Sequence, residues 1–216
     1  MPLRKNAGRS IAEDRRKARE MHIFEKPGPA NTDEALSIAL EGARRRGINC
    51  IIVASNTGET VKKLLDMDIE GMTVICVSLV YGYFEIGKQT MEEVVRRQLE
   101  ERGVRIIIAA HCLSGGERAF SRAFGGIGPV EAAAKTLMMF GRGTKAAIES
   151  AIMAADCGAV PYGEPVMAVA GTSRGADTAL ILRPAYTAVF LDTRIDEILC
   201  KPIVPGKAQI GKGGKE

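Results

Sequence analysis

Tryptophan is absent from the 216-residue chain, and Phe and Tyr together make up only 5% of it. Any core must therefore be built from aliphatic and small side chains, and a hydrophobic fraction of 46% is enough to build one. The length suits one domain of ordinary size. Long hydrophobic runs are also missing: none approaches the ~18 residues of a membrane-spanning helix, and the longest are broken by Gly or charge. The opening Met-Pro-Leu-Arg-Lys lacks the apolar stretch of a secretory signal. A cytoplasmic protein with no membrane partner is expected.

Metal-ligating residues are few. His22 and His111 are the two histidines, and the five cysteines (Cys50, Cys76, Cys112, Cys157, Cys200) form no Cys-x-x-Cys pair. No metal site of recognisable spacing can be assembled from them. Most lie in or beside apolar runs, where a reduced thiol behaves as a small core residue. The chain has no Gly-x-x-x-x-Gly-Lys-[Ser/Thr], which argues against a P-loop nucleotidase, and no Gly-x-Ser-x-Gly hydrolase elbow. Gly141-Arg-Gly-Thr-Lys-Ala146 imitates a dinucleotide fingerprint but follows a helical run instead of a strand, so it fails the context that motif requires.

What is present is unevenly distributed. Residues 1–20 carry seven basic against three acidic groups, and residues 201–216 four against one, whereas the body between them has 19 basic and 22 acidic groups. A nucleic-acid binder should carry its positive charge on the folded body, so nucleic acid is not expected as a partner. Three segments are read: a basic arm over 1–20, one domain over 21–202 and a Gly/Lys-rich flexible tail over 203–216.

Within the domain the periodicity alternates. Met21-His-Ile-Phe24 predicts a short strand, and Asn31-Thr-Asp-Glu34 a capped helix start, followed by apolar residues at helical spacing up to Gly47. Asn49-Cys-Ile-Ile-Val-Ala54 is a continuously apolar strand, which suggests burial on both faces. Helices over 59–67 and 90–101 alternate with strands over 73–78 and 105–110. Residues 114–157 read as helical with Gly breaks, and two strands over 165–170 and 178–183 are joined too closely for a crossover. The fold class predicted is α/β: three layers, a mostly parallel sheet with helices on both faces, and an antiparallel strand addition near the C-terminus.

Ligands of such sheets bind beyond the carboxyl ends of the strands, and three loops there are polar and glycine-rich. Ser55-Asn-Thr-Gly-Glu-Thr60 offers hydroxyls, a glycine and free N–H groups at a helix start: either a phosphate cradle or an ordinary helix cap. In His111-Cys-Leu-Ser-Gly-Gly-Glu-Arg118, a capping box would account for Ser114 and Glu117. Arg118 and Arg122 share a helix face that suits either an anionic group or solvent, and His111 could face a ligand. Gly171-Thr-Ser-Arg-Gly-Ala-Asp177 holds two hydroxyls and an Arg, more than a tight turn requires.

At these loops the chain resembles the small stand-alone proteins, mostly archaeal, that share the fold of the pyruvate kinase C-terminal α/β domain. The resemblance rests on Phe24-Glu-Lys-Pro-Gly28, Val53-Ala-Ser-Asn-Thr-Gly-Glu-Thr60, Leu113-Ser-Gly-Gly-Glu-Arg118, Ile152-Met-Ala-Ala-Asp-Cys-Gly-Ala-Val-Pro161, Ser173-Arg-Gly-Ala-Asp-Thr178 and Arg183-Pro-Ala185. It implies a flavin mononucleotide (FMN) site related to the pocket where pyruvate kinases bind a sugar bisphosphate effector. Ser55, Asn56, Thr57, Gly58 and Thr60 would hold the phosphate, and Thr172, Ser173, Arg174 and Gly175 would close over the ligand. Ser114, Arg118 and Arg174 are candidates for the flavin's polar edge, and Gly115 is a further cofactor-binding residue. The metal and phosphoenolpyruvate residues of the kinase barrel are missing, so pyruvate kinase activity is not expected. Two functions follow as expectations: an FMN protein with oxidoreductase chemistry on an unassigned substrate, or a non-catalytic sensor of a phosphorylated metabolite. Catalytic residues are not assigned, and a homo-oligomer is expected.

Overall fold

A computed structural model of the chain describes residues 20–203; the basic arm and the Gly/Lys tail fall almost wholly outside that range. Seven strands form one sheet in the order β1-β7-β6-β5-β2-β3-β4. They are β1 His22–Phe24, β2 Cys50–Ala54, β3 Thr73–Ser78, β4 Arg105–Ile108, β5 Val166–Ala170, β6 Thr178–Arg183 and β7 Arg194–Pro202. All run parallel except β6, which is antiparallel to β5 and β7. The antiparallel addition is therefore internal: β7 and then β1 continue the sheet beyond it in the direction of the parallel strands.

The helices are α1 Thr32–Arg45, α2 Glu59–Leu65, α3 Glu93–Glu101, α4 Gly115–Phe124, α5 Pro129–Leu137 and α6 Arg142–Asp156. Alternation along the strands assigns them to faces. Ile51, Val53, Cys76 and Met167 pack with Leu36 and Leu40 of α1, Val61 and Leu64 of α2 and Leu99 of α3. Ile52, Ile75, Val77 and Ala168 point the other way, against Ala147, Ile148, Ala151 and Ile152 of α6. Because β2 is covered on both sides, its sequence is apolar at every central position instead of alternating. Each fully buried Leu or Ile contributes roughly 1.5–3 kcal/mol, so aliphatic packing compensates for the missing tryptophan.

The expected long helical stretch resolves into α4, α5, a turn of 3-10 helix at Met138–Phe140, and α6. Helix α6 is the body of that face: twelve of its fifteen residues are buried. By contrast, α4 buries none, and Phe120 and Phe124 stand on its outer surface. Glu117 does not complete a capping box with Ser114, whose side chain caps nothing. Its carboxylate turns to the next helix and accepts the Glu131 N–H at 2.6 Å. Similarly, Asn31 makes no side-chain cap on α1; its amide instead donates to the Lys26 carbonyl at 2.8 Å.

Candidate functional site

Because β2, β3, β4 and β5 are parallel, their carboxyl ends deliver four loops to one rim: 55–58, 79–92, 109–114 and 171–177. Strand order sets their arrangement. Loop 55–58 is central, with 171–177 beside it on the β5 side and 79–92 on the β3 side. Loop 109–114 lies two strand spacings from β2, roughly 10 Å.

Loop 55–58 is held by its backbone. The Ser55 N–H donates to the Val77 carbonyl at 3.0 Å, and the Ser78 hydroxyl to the Asn56 carbonyl at 3.2 Å. Gly58 takes φ +87°, and a Cβ there would come within 2.8 Å of Val95 and 3.0 Å of Leu99, so α3 closes the turn from below. Ser55 and Thr60 are buried, while Asn56 and Thr57 are exposed. No side chain caps α2. Among the described residues the hydroxyls of Ser55, Thr57 and Thr60 make no hydrogen bond, so the helix-cap reading of this loop is not realised and three donors are free.

The 171–177 hairpin is fixed by buried polar groups. Asp177, 0% exposed, accepts N–H groups from Gly28 at 3.0 Å and Thr172 at 3.2 Å, and the Thr178 hydroxyl at 2.8 Å. Thr32 Oγ1 accepts the Ala176 N–H at 3.0 Å and donates to the Pro29 carbonyl at 2.8 Å. A Cβ at Gly171 would strike the Gly175 carbonyl at 2.2 Å, and one at Gly175 (φ +69°) would strike Thr32 Oγ1 at 2.3 Å. The hairpin is thereby welded to the loop after β1, leaving Ser173 and Arg174 exposed at its tip.

On the β4 side, the carbonyl of His111 accepts the N–H groups of Ser114 (3.2 Å) and Gly115 (2.7 Å) as α4 begins. The Ser114 hydroxyl accepts from Arg118 Nη2 at 3.0 Å. Beneath them lies a buried ionic cluster. Glu149 and Lys145, 3% and 5% exposed, are paired on one face of α6. Glu149 Oε1 accepts the Leu113 N–H at 3.1 Å, and Oε2 is 3.9 Å from His111 Nδ1. The His111 ring packs against Tyr83 from loop 79–92, with centroids 5.5 Å apart. Burial holds the His111 pKa below its ordinary value, and Lys145 and Arg118 push the same way against the opposing pull of Glu149. Burial also pushes the thiols up, to about 11 for Cys50 and about 12 for Cys76, Cys112 and Cys200. None of these is a reactive thiolate.

The residues singled out for the flavin site thus lie on this rim, whereas Arg122 is exposed in the last turn of α4. Ser55 to Thr60 and Thr172 to Gly175 belong to loops on neighbouring strands; Ser114, Gly115 and Arg118 stand farther along, at the start of α4. Sequence reasoning missed four residues. Tyr81 and Tyr83, which place aromatic rings on the rim, are signalled by Tyr81-Gly-Tyr83-Phe84 directly after a strand. The Lys145–Glu149 pair is signalled by two charges four apart in a helix otherwise rich in Ala, Ile and Met. Among the described residues no three His, Cys, Asp or Glu gather as a metal site would need, and no helix is long and apolar enough to cross a membrane.

The crossovers, the internal reversed strand and the rim on which the polar loops gather define one architecture, and the comparison with family models agrees with it. The model described as pyruvate kinase, alpha/beta domain, matches residues 33–182, from the first turn of α1 to the end of β6, and the chain belongs to that family.

Proposed function

We propose that this domain binds flavin mononucleotide, with its phosphate on loop 55–58 and its ring extending along the rim over β3 toward β4. The observation that carries the reading is the set of unpaired hydroxyls on Ser55, Thr57 and Thr60, with the uncapped start of α2 beside them. A phosphate offers several acceptor oxygens, and charge-assisted hydrogen bonds of this kind are about twice as strong as neutral ones. The rest of the rim suits the remainder of the ligand. Ser173 and Arg174 supply polar groups at the tip of the fixed hairpin. Tyr81 and Tyr83 supply aromatic surface of the kind an isoalloxazine requires. The roughly 10 Å from β2 to β4 leaves room for a molecule carrying a phosphate at one end and a ring at the other.

When bound, the flavin would supply two-electron redox chemistry; the chain's own groups bind and orient it. An oxidoreductase is the activity this reading supports. The same donors would serve a phosphorylated sugar, so the test must separate the two. Protein purified without added cofactor is to be examined for the visible absorption of flavin and for flavin released on denaturation. Stripped protein is then heated with FMN or with fructose 1,6-bisphosphate. Bound flavin, or a rise in Tm with FMN alone, is the expected result. Colourless protein stabilised only by the sugar bisphosphate would replace this reading with the sensor.

A further inference from the structure

The buried ionic cluster beneath residues 111–113 has no part in holding a phosphate at loop 55–58, yet it is built around one histidine. Glu149 and Lys145 are almost wholly enclosed and compensate each other, so the cluster is electrically neutral while His111 is neutral. Glu149 has one oxygen committed to the Leu113 N–H, and the other, which accepts from Lys145 Nζ, lies 3.9 Å from His111 Nδ1. A carboxylate on that side favours the tautomer with its proton on Nδ1 and leaves a lone pair on Nε2. Nε2 makes no hydrogen bond among the described residues, and the His111 side chain is 23% exposed. In that tautomer Nε2 is an acceptor without a partner among the described residues.

A cation stands close by. Arg118 spends one N–H on Ser114 Oγ and is half-buried; its other guanidinium N–H groups make no hydrogen bond among the described residues. Ser114 joins Arg118 to His111, since its N–H donates to the His111 carbonyl. The two free functions are thus an acceptor that needs an O–H and a planar cation that matches a carboxylate.

We propose that His111 and Arg118 bind a small hydroxy acid, its hydroxyl donating to Nε2 and its carboxylate held by the guanidinium, with Glu149 and Lys145 as positioning residues. This gives Arg118 a second ligand in place of the flavin edge, and it stands whether or not FMN binds at loop 55–58. The groups facing the imidazole are Glu149 and Lys145 from α6, Arg118 from α4, Tyr83 from loop 79–92 and the neighbouring Cys112. Burial, with Lys145 and Arg118, lowers the His111 pKa against the opposing pull of Glu149, which favours the neutral ring, the form in which Nε2 can accept.

The test uses ligand-free protein carrying His22→Gln, so that His111 is the one histidine, labelled with 15N at the imidazole. At pH 7.5 the long-range 1H–15N spectrum is expected to show the Nδ1–H tautomer, and Glu149→Gln to shift it toward Nε2–H. Adding sodium glycolate should move the Nε2 resonance saturably, whereas sodium acetate, which lacks the hydroxyl, should bind at least about tenfold more weakly; Arg118→Gln should weaken glycolate about tenfold. An Nε2–H tautomer in the otherwise native protein, an equal response to glycolate and acetate, or no response to either would overturn the proposal. These readouts do not depend on Glu149→Gln folding, because the tautomer and the glycolate titration are measured with Glu149 in place.

Discussion

At the scale of single residues, burial decides which groups are chemically available. His111 resists protonation in the folded chain, while in the unfolded chain it takes up a proton near pH 6.5. Between those two values the unfolded state holds more protons, so this group makes stability fall as pH drops through 6.5 and adds no further loss below its folded pKa. Urea denaturation across pH 5 to 8 should therefore show a slope that His111→Gln reduces; an identical slope in the variant would contradict the environment described. The thiols offer a second check. Cys157 is exposed, while burial raises Cys50, Cys76, Cys112 and Cys200 well above ordinary thiol pKa values. A chromogenic disulfide reagent at pH 8 should titrate one thiol rapidly in the native protein and all five after denaturation. Two or more fast thiols would show that the face carrying Cys50 or Cys112 opens. The charges of Lys145 and Glu149 were visible in the sequence as an i, i+4 pair, which ordinarily marks a solvated face. Their burial follows only from the way α6 passes beneath residues 111–113, and no local pattern encodes that.

At the scale of elements, close approaches lock the site. Gly143 in the first turn of α6 is as tight as Gly171: a Cβ there would lie 2.2 Å from Thr178 Oγ1 and 2.9 Å from Asp177 Oδ1. These are the two side chains that tie β6 to the hairpin loop. Gly143→Ala should destabilise the protein by about 1–3 kcal/mol through overpacking, read as a lower urea midpoint with little change in slope. An unchanged midpoint would mean that α6 is not pressed against β6. Gly58→Val is unsuited as a probe of ligand binding for the same kind of reason, since it combines a left-handed φ with a clash against Val95. The strands around the core were legible because burial on both faces leaves a continuous apolar run, as in Cys50–Ala54. Strand β7, Arg194–Pro202, was not. Its first three residues are exposed, charges fall on both faces, and a register shift against β6 breaks the two-residue period. Its place depends on pairing with β6, the strand just before it, and with β1 at the other end of the domain.

At the scale of the whole molecule, the alternation of strand and helix was enough to give a parallel sheet, and that sheet brings the polar loops to one rim. Strand order was beyond the sequence, and with it the fact that loops 55–58 and 171–177 are neighbours while 109–114 stands apart. The same order separates two functions along the rim: unpaired hydroxyls near β2 and β5, and an oriented imidazole beside an arginine near β4. The central claim is that the hydroxyls hold the phosphate of FMN. It is tested most directly by titrating FMN and riboflavin, which differ by that phosphate, into the native protein and into Ser55→Ala/Thr57→Ala while following flavin fluorescence. The account predicts that FMN binds the native protein at least about tenfold more tightly than riboflavin, and that the double substitution removes most of this preference, since each hydrogen bond to a charged group is worth about 1.5–3 kcal/mol. Thermal stability should change little, because these hydroxyls have no partner among the described residues. Equal affinity for the two flavins, or an FMN affinity untouched by the substitutions, would contradict it.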